Sequence, residues 1–197
     1  MTTEIEAKFL DVNHDEVRAT LKAAGATLIT PMRLMKRAVI DYPDHRLQKE
    51  HDGYVRVRDE GDKVTLTYKQ FDSLSINGAK ELELQIDSFD TAVQMFESIG
   101  LIVKSFQESR RETWRLGAVE IVLDEWPWLN PYIEVEGPSE TEVKQACQTL
   151  GYKWENAIFG GVNIAYSAEY PHLSKEEILD AFSFAKFGDS LPEQFAK

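Results

Sequence analysis

Residues 4–10, EIEAKFL, alternate a charged with an apolar side chain, and the same alternation returns in most extended runs of the chain. Successive side chains of a β-strand point to opposite faces, so Ile5, Ala7 and Phe9 share one face while Glu4, Glu6 and Lys8 share the other. VRVR groups Arg56 with Arg58, VTLTYK groups Thr65, Thr67 and Lys69, and ELELQI groups Glu81, Glu83 and Gln85. RETWR groups Arg111, Thr113 and Arg115, VEIVLD groups Glu120 with Asp124, and YIEVE groups Glu134 with Glu136. Each of these runs therefore reads as a strand with one apolar and one charged face.

Three amphipathic helices are available to cover the apolar face. Their stripes are Val17, Leu21 and Ala24; Val93, Phe96 and Ile99; and Val143, Ala146, Cys147 and Leu150. Each stripe stops near a glycine, at Gly25, Gly100 and Gly151, and is preceded by a candidate N-cap: Asn13, then Ser88 or Asp90, then Ser139 with Glu142 completing a capping box. Roughly eight or nine strands with such helices predict a mostly antiparallel α+β domain. VNIAYSA is a weaker strand candidate, and HRLQKEHDG reads as a loop or flap. From Pro171 onward, SKEEILDAFSFAKF carries a capping box, Ser174 with Glu177, and an apolar stripe of Ile178, Leu179, Phe182 and Ala185. The expected division is thus a principal domain over 1–170 and a docked helical tail over 171–197.

A chain of 197 residues can bury a substantial core as one domain. Its formal charge of −12 argues against a general nucleic-acid or anionic-membrane surface, so any anion site must be local. The single cysteine, Cys147, lies on a helical stripe and reads as core, and the cysteine and histidine spacing fits no zinc site. MTTEIEAK lacks the features of a signal peptide and no apolar run is long enough to span a bilayer, which predicts a cytoplasmic protein. His14, His45, His51 and His172 fall outside the charged strand positions and read as surface or loop residues.

The charged faces look either into water or at one another. An open sheet with a solvated face satisfies the alternation. So does a sheet of about eight strands that curls until its charged face becomes a bore. Within such a bore, like charges about 4 Å apart repel by roughly 4 kcal/mol at an effective dielectric near 20, so clustered carboxylates require counter-charges. Arg and Lys supply some, and Mg²⁺ or Mn²⁺, which favour oxygen ligands, can supply the rest. The guanidinium forks of Arg56 and Arg58 suit phosphate, with Lys8 and Lys69 as compact positive charges. Carboxylates for a metal beside guanidinium groups for phosphate are suited to a polyphosphate.

The same segments resemble the CYTH superfamily, the triphosphate tunnel metalloenzymes. EIEAK is similar to that family's Glu-x-Glu-x-Lys signature, and DYPDHRL, VRVR, TLTYK, ELE, SRRETW, VLDEWPWLNPYIEVEG and AYSAEY follow in the family's order over about residues 2 to 170. The resemblance implies a closed or nearly closed eight-stranded antiparallel barrel with helices outside, a triphosphate-bearing small molecule as substrate, and dependence on Mg²⁺ or Mn²⁺. It also implies that Lys8, Arg56, Arg58, Lys69 and Arg111 bind the phosphate chain, with Arg115 as a further contact. Glu4, Glu6, Asp124, Glu134 and Glu136 would hold metal or the attacking water, with Glu81 and Glu83 nearby; Glu4, Glu6 and Lys8 form the expected catalytic group. The chain departs from the pattern at Ser109 and Ala165, where basic residues are frequent, and at Arg37, where Asp is frequent; Lys36, Arg37 or Arg115 could supply replacement contacts.

The activity expected on this basis is hydrolysis of inorganic triphosphate or an organic triphosphate such as thiamine triphosphate. Class IV-type adenylyl cyclase activity uses the same kind of tunnel with a ribose hydroxyl in place of water. A noncatalytic polyphosphate or nucleotide sensor is the third expectation. Trp126 and Trp128 are expected to pack in the loop between two strands, outside the site.

Overall fold

The computed structural model describes residues 1–196. Nine strands form one curled sheet: β1 (Thr2–Thr3), β2 (Glu6–Phe9), β3 (Thr27–Asp41), β4 (Tyr54–Asp59), β5 (Val64–Phe71), β6 (Ala79–Ile86), β7 (Ile102–Leu116), β8 (Val119–Trp126) and β9 (Leu129–Glu136). Their order across the sheet is β1, β6, β5, β4, β3, β7, β8, β9, β2, and every neighbouring pair is antiparallel. The expected α+β class and barrel-like curl are present, with nine strands instead of eight because the opening strand divides into two pieces.

Those two pieces lie at opposite ends of the strand order although they adjoin in sequence. Thr2 and Thr3 pair with Glu81 and Lys80 on β6, while Glu6 through Phe9 pair with Glu136 through Ile133 on β9. Between them, Glu4 donates its N–H to the Ala79 carbonyl at 3.0 Å, and Gly137 donates to the Ile5 carbonyl at 3.1 Å. A short N-terminal segment thus brings the two edges of the sheet together, and closure is partial.

The long strands β3 and β7 supply the curvature. Their pairing slips between Leu28 and Thr30, again between Thr30 and Arg33, and once more between Val39 and Ile40. Extra residues in one strand bend it and increase its twist. Pro31 falls within the second slip, where it has no register partner on β7, the kind of position in a sheet that tolerates proline.

Helices α1 (His14–Ala23) and α4 (Glu140–Thr149) cover the outer face of β2, β8 and β9. Val17 and Leu21 from α1 and Val143, Ala146 and Cys147 from α4 share one core with Ala7, Phe9, Ile121, Leu123, Ile133 and Val135. Asn13 and Ser139 cap these helices as expected. Glu142 meets the Ser139 hydroxyl at 2.7 Å. After α1, Gly25 has φ +78°, and Ala26 donates to the Leu21 carbonyl at 2.9 Å; Gly151 and Tyr152 repeat that ending after α4. The left-handed turn is accessible to glycine without a Cβ clash, which is why the helical stripes stop there. A third helix, α3 (Phe89–Ser98), is capped by Ser88 and lays Ala92 against Ile40 and Val57; Ile99, expected on its stripe, is exposed beyond its end.

Two segments differ from expectation. HRLQKEH contains a short helix, labelled α2 in chain order (Arg46–His51), instead of forming only a loop. The buried Asp41 carboxylate organises it by accepting N–H bonds from Tyr42, Leu47 and Gln48. VNIAYSA belongs to α5 (Val162–Glu169), since Val162, Ala165, Tyr166 and Tyr170 also satisfy a helical period and bury their side chains on one side.

The tail forms α6 (Lys175–Ala181), whose Ser174 and Glu177 make the expected capping box. Ile178, Phe182, Ala185 and Phe195 share a core with Trp126, Tyr132, Tyr166 and Tyr170. Helices α5 and α6 thereby sit at the end of the bore marked by Trp126 and Tyr132. Among the described residues no helix is long and apolar enough to cross a membrane.

Candidate active site

The inward rows of eight strands line a cavity of about 490 Å³. From β2 and the residue preceding it come Glu4, Glu6 and Lys8; from β4, Arg56 and Arg58; and from β5 and β6, Lys69, Glu81 and Glu83. The other wall carries Arg111 and Arg115 from β7, Glu120 from β8, and Glu134 and Glu136 from β9. Alternation assigned these side chains to one face of each strand, and curling turns those faces toward one another. Of the two arrangements that satisfy the alternation, the charged faces adopt the inner wall that the family resemblance implied.

Register explains which charges meet. Glu6 stands opposite Glu136, which stands opposite Glu120, so three carboxylates share a row across β2, β9 and β8. Lys8 stands opposite Glu134, and Lys69 opposite Glu81. Lys8 lies 2.8 Å from Glu6 and 3.1 Å from Glu134, with only 2% of its side chain exposed. Burial alone would lower its pKa, but Glu134 and Glu6 outweigh that and raise it well above the ordinary ammonium value. Burial likewise disfavours the Glu134 carboxylate, yet Lys8 and Arg111 hold its pKa far below the usual range.

Among the cations lining the cavity, Arg111 makes three hydrogen bonds to two carboxylates. It donates from Nε to Asp124 at 2.7 Å, and from Nη2 to Asp124 at 2.5 Å and to Glu134 at 2.8 Å. Asp124 is fully buried behind it, so in this arrangement its carboxylate orients Arg111. Arg58 pairs with Glu60 at 2.7 Å, and Glu60 also binds Arg33 at 2.7 Å. Arg56 reaches Thr67 at 3.1 Å and Glu83 at 3.4 Å, while Thr67 donates to Glu83 at 2.8 Å. Arg115 is exposed at the opposite end of β7.

The remaining carboxylates crowd one another. Glu4 forms an ion pair with Lys69, which holds its pKa below the ordinary value despite burial. Burial and the neighbouring Glu4 push Glu81 up to about 7. Glu136 is pushed up to about 8 by lost hydration and by Glu4, Glu6, Glu134 and Glu120. A divalent cation among these groups would relieve that repulsion, so the donor set fits Mg²⁺ or Mn²⁺ in chemical kind. Among the described residues no three ligating side chains already converge on one point. Lys8, Lys69 and Arg111 hold several of the oxygens instead.

Several participants escaped the sequence reading. Glu120 was visible in the alternation of VEIVLD, but its row with Glu6 and Glu136 depends on register. Glu60 and Arg33 follow or precede the diagnostic runs and carry no periodic signal. Trp126 lines the cavity with Tyr132, correcting its assignment to a loop; Trp128 occupies the turn with φ +61°. Lys36 is exposed on the outer side, whereas Ser109 lies buried in the wall and Ala165 within α5. His14 is buried rather than superficial, placing Nε2 3.2 Å from the Tyr132 carbonyl outside the bore.

A curled antiparallel sheet with helices outside and acidic and basic rows inside defines a charged tunnel protein. The chain belongs to the CYTH domain family, whose family model matches residues 2–158. Members of this family are metal-dependent enzymes acting on triphosphate substrates. Among solved structures, a Vibrio parahaemolyticus protein named as a candidate adenylate cyclase has a TM-score of 0.72 at 16% identity, covering 84% of this chain and 98% of its own. A Pyrococcus horikoshii protein gives 0.66 at 21% identity, covering 78% and 93%. A Hippeastrum protein, named as a candidate adenylyl cyclase with a dominant triphosphatase activity, gives 0.57 at 17% identity, covering 80% and 91%. These likenesses establish the shared fold. A search of curated proteins finds no match.

Proposed function

We propose that this chain hydrolyses inorganic triphosphate or an organic triphosphate within the tunnel. The observation that carries the reading is the meeting of Lys8, Arg56, Arg58, Lys69 and Arg111 with Glu4, Glu6, Glu81, Glu134 and Glu136 around one cavity. Such an interior suits a ligand that is itself anionic and accompanied by cations. A generic anion site would gain nothing from so many carboxylates.

In this reading, Lys8, Arg56, Arg58, Lys69, Arg111 and Arg115 hold the phosphate oxygens. Glu4, Glu6, Glu81 and Glu136 would hold Mg²⁺ or Mn²⁺, with Glu83 and Glu134 at the margin, while Asp124, expected among the metal ligands, is buried behind Arg111 and would act through it; the bound cation would supply charge neutralisation and a more acidic water. Arg111 and Lys8 exchange part of their carboxylate bonding for phosphate oxygens as the substrate enters. Glu4 and Glu6 orient the attacking water and take up its proton, and the terminal P–O–P bond breaks to give a diphosphate and phosphate. Phosphoryl transfer depends chiefly on position and charge, so no side-chain nucleophile is required.

The test is product analysis with tripolyphosphate, ATP and thiamine triphosphate, each with Mg²⁺ and with Mn²⁺. A diphosphate and phosphate support hydrolysis; cyclic AMP with pyrophosphate supports cyclase activity, and intact recovery of tightly bound ligand supports a sensor. Glu4→Gln and Glu6→Gln are each expected to lower turnover at least 100-fold, the order of a lost general-base contribution, while leaving the unfolding midpoint near that of the parent. Unchanged turnover in both variants removes these residues from the mechanism.

A further inference from the structure

The basic residues of the tunnel differ in how their charge is balanced. Lys8, Lys69 and Arg111 each hold a carboxylate closely, and Arg58 holds Glu60. Among the described residues Arg37 has no carboxylate ion pair. Its Nε donates to Gln107 at 2.7 Å, and its guanidinium lies over the Trp126 ring, 4.4 Å from the centroid. The neutral amide and the aromatic face leave its charge without a formal counter-ion. Burial, with repulsion from Arg56, pulls its pKa down to about 10.

Other unsatisfied donors belong to residues that line the same cavity. Trp126 is 6% exposed, and its indole Nε1 is buried without a hydrogen-bond partner. Arg56 Nε is also buried without one. Helix α5 begins here, and its N-cap, Gly161, offers no side-chain oxygen to the first-turn N–H groups. Gly161 and Val162 line the charged cavity together with Arg37 and Trp126. Arg37, Tyr54, Gly161 and Val162 also line an adjoining cavity of about 220 Å³, which places Arg37 at the neck between the two.

A guanidinium fork, an indole N–H and a helix N-terminus approach from separate elements, and all are donors. A planar carboxylate can answer some of them, whereas a phosphoryl group presents oxygen acceptors in several directions. We propose that Arg37, Trp126 and the first turn of α5 form an anion subsite at the neck of the tunnel, which receives a terminal phosphoryl group of the bound chain and selects triphosphate over diphosphate. This rests on the reading of the tunnel as a triphosphate site. It identifies the residues that set its preference for chain length.

The test is metal-free calorimetric titration with phosphate, pyrophosphate and tripolyphosphate, using the full chain and its Arg37→Gln, Arg37→Lys and Trp126→Phe variants. Arg37→Gln is expected to weaken tripolyphosphate binding at least tenfold and pyrophosphate binding less than twofold. Trp126→Phe, which retains the ring and loses the donor, is expected to weaken only tripolyphosphate, by several-fold. Arg37→Lys keeps the charge but loses the fork, so an intermediate loss is expected, and this variant decides the matter if Arg37→Gln does not fold. Equal losses for both anions, or unchanged tripolyphosphate binding, overturn the subsite while leaving the tunnel reading intact. Absence of tripolyphosphate binding to the parent protein both without metal and in a parallel titration with Mg²⁺ overturns both.

Discussion

Glu81 and Glu136 show what crowding does to individual carboxyl groups. They titrate in the folded protein at about 7 and about 8, and regain an ordinary value of about 4.3 on unfolding. Between the ordinary and the raised values the folded protein binds more protons than the unfolded chain, so these groups reduce stability as pH rises through that window. Glu134 acts in the opposite sense: its stabilisation is present above its ordinary value and is lost as pH falls toward its depressed folded value. In metal-free buffer, the thermal midpoint is therefore expected to fall between about pH 5 and pH 8 and to level off above that, and substitution of both Glu81 and Glu136 by Gln should flatten the decline. Mg²⁺ should raise the midpoint more at about pH 8.5 than at about pH 6, because the cation competes with protons for the same oxygens. A parent protein whose stability declines no more than that of the double variant contradicts this account. Asp124→Ala makes a separate prediction: removing the buried partner of Arg111 should cost about 3–5 kcal/mol in urea unfolding.

Among the elements, the tail is tied into the molecule by aromatic packing. Phe182 stacks on Tyr166 with ring centroids 4.7 Å apart, and Phe195 stacks on Tyr170 at 4.3 Å. Phe182→Ala is expected to lower unfolding free energy by about 3–5 kcal/mol, and Ser174→Ala, which removes a cap, by about 1 kcal/mol. Losses below about 0.5 kcal/mol for both would mean that the tail contributes little to global stability. The stripe from Ile178 to Ala185 was legible as a buried set, but α6 ends at Ala181, so Phe182 and Ala185 reach the same core from the turn that follows and not from the helical face. VNIAYSA was ambiguous because a short apolar run satisfies both helical and extended packing, and Gly161 does not decide between them. For the site, Glu4, Glu6, Lys8, Arg56, Arg58 and Lys69 could be assigned to one face from alternation alone. Their convergence required closure. The Glu6, Glu136 and Glu120 row required register, which is a relation between strands distant in sequence.

For the molecule as a whole, the two ends of the strand order are joined, among the described residues, by the backbone pairing of the opening segment. Its pairing to β6 is confined to Thr2 and Thr3, whereas β3 and β7 pair over most of their length. The amides of Glu4 and Glu6, bonded to the Ala79 and Ile76 carbonyls, are therefore expected to exchange hydrogen faster than central amides of β3 and β7. Equal protection by native-state exchange would instead show that the seam opens only with the entire sheet. The segment that closes this seam also carries Glu4, Glu6 and Lys8. Its docking partners, Lys80 and Glu81 on β6 and Ile133 through Glu136 on β9, lie far along the chain, so the sheet cannot curl shut until both have been made. The cavity's acidic and basic rows consequently face one another only once the last strand, β9, has docked on the first residues of the chain.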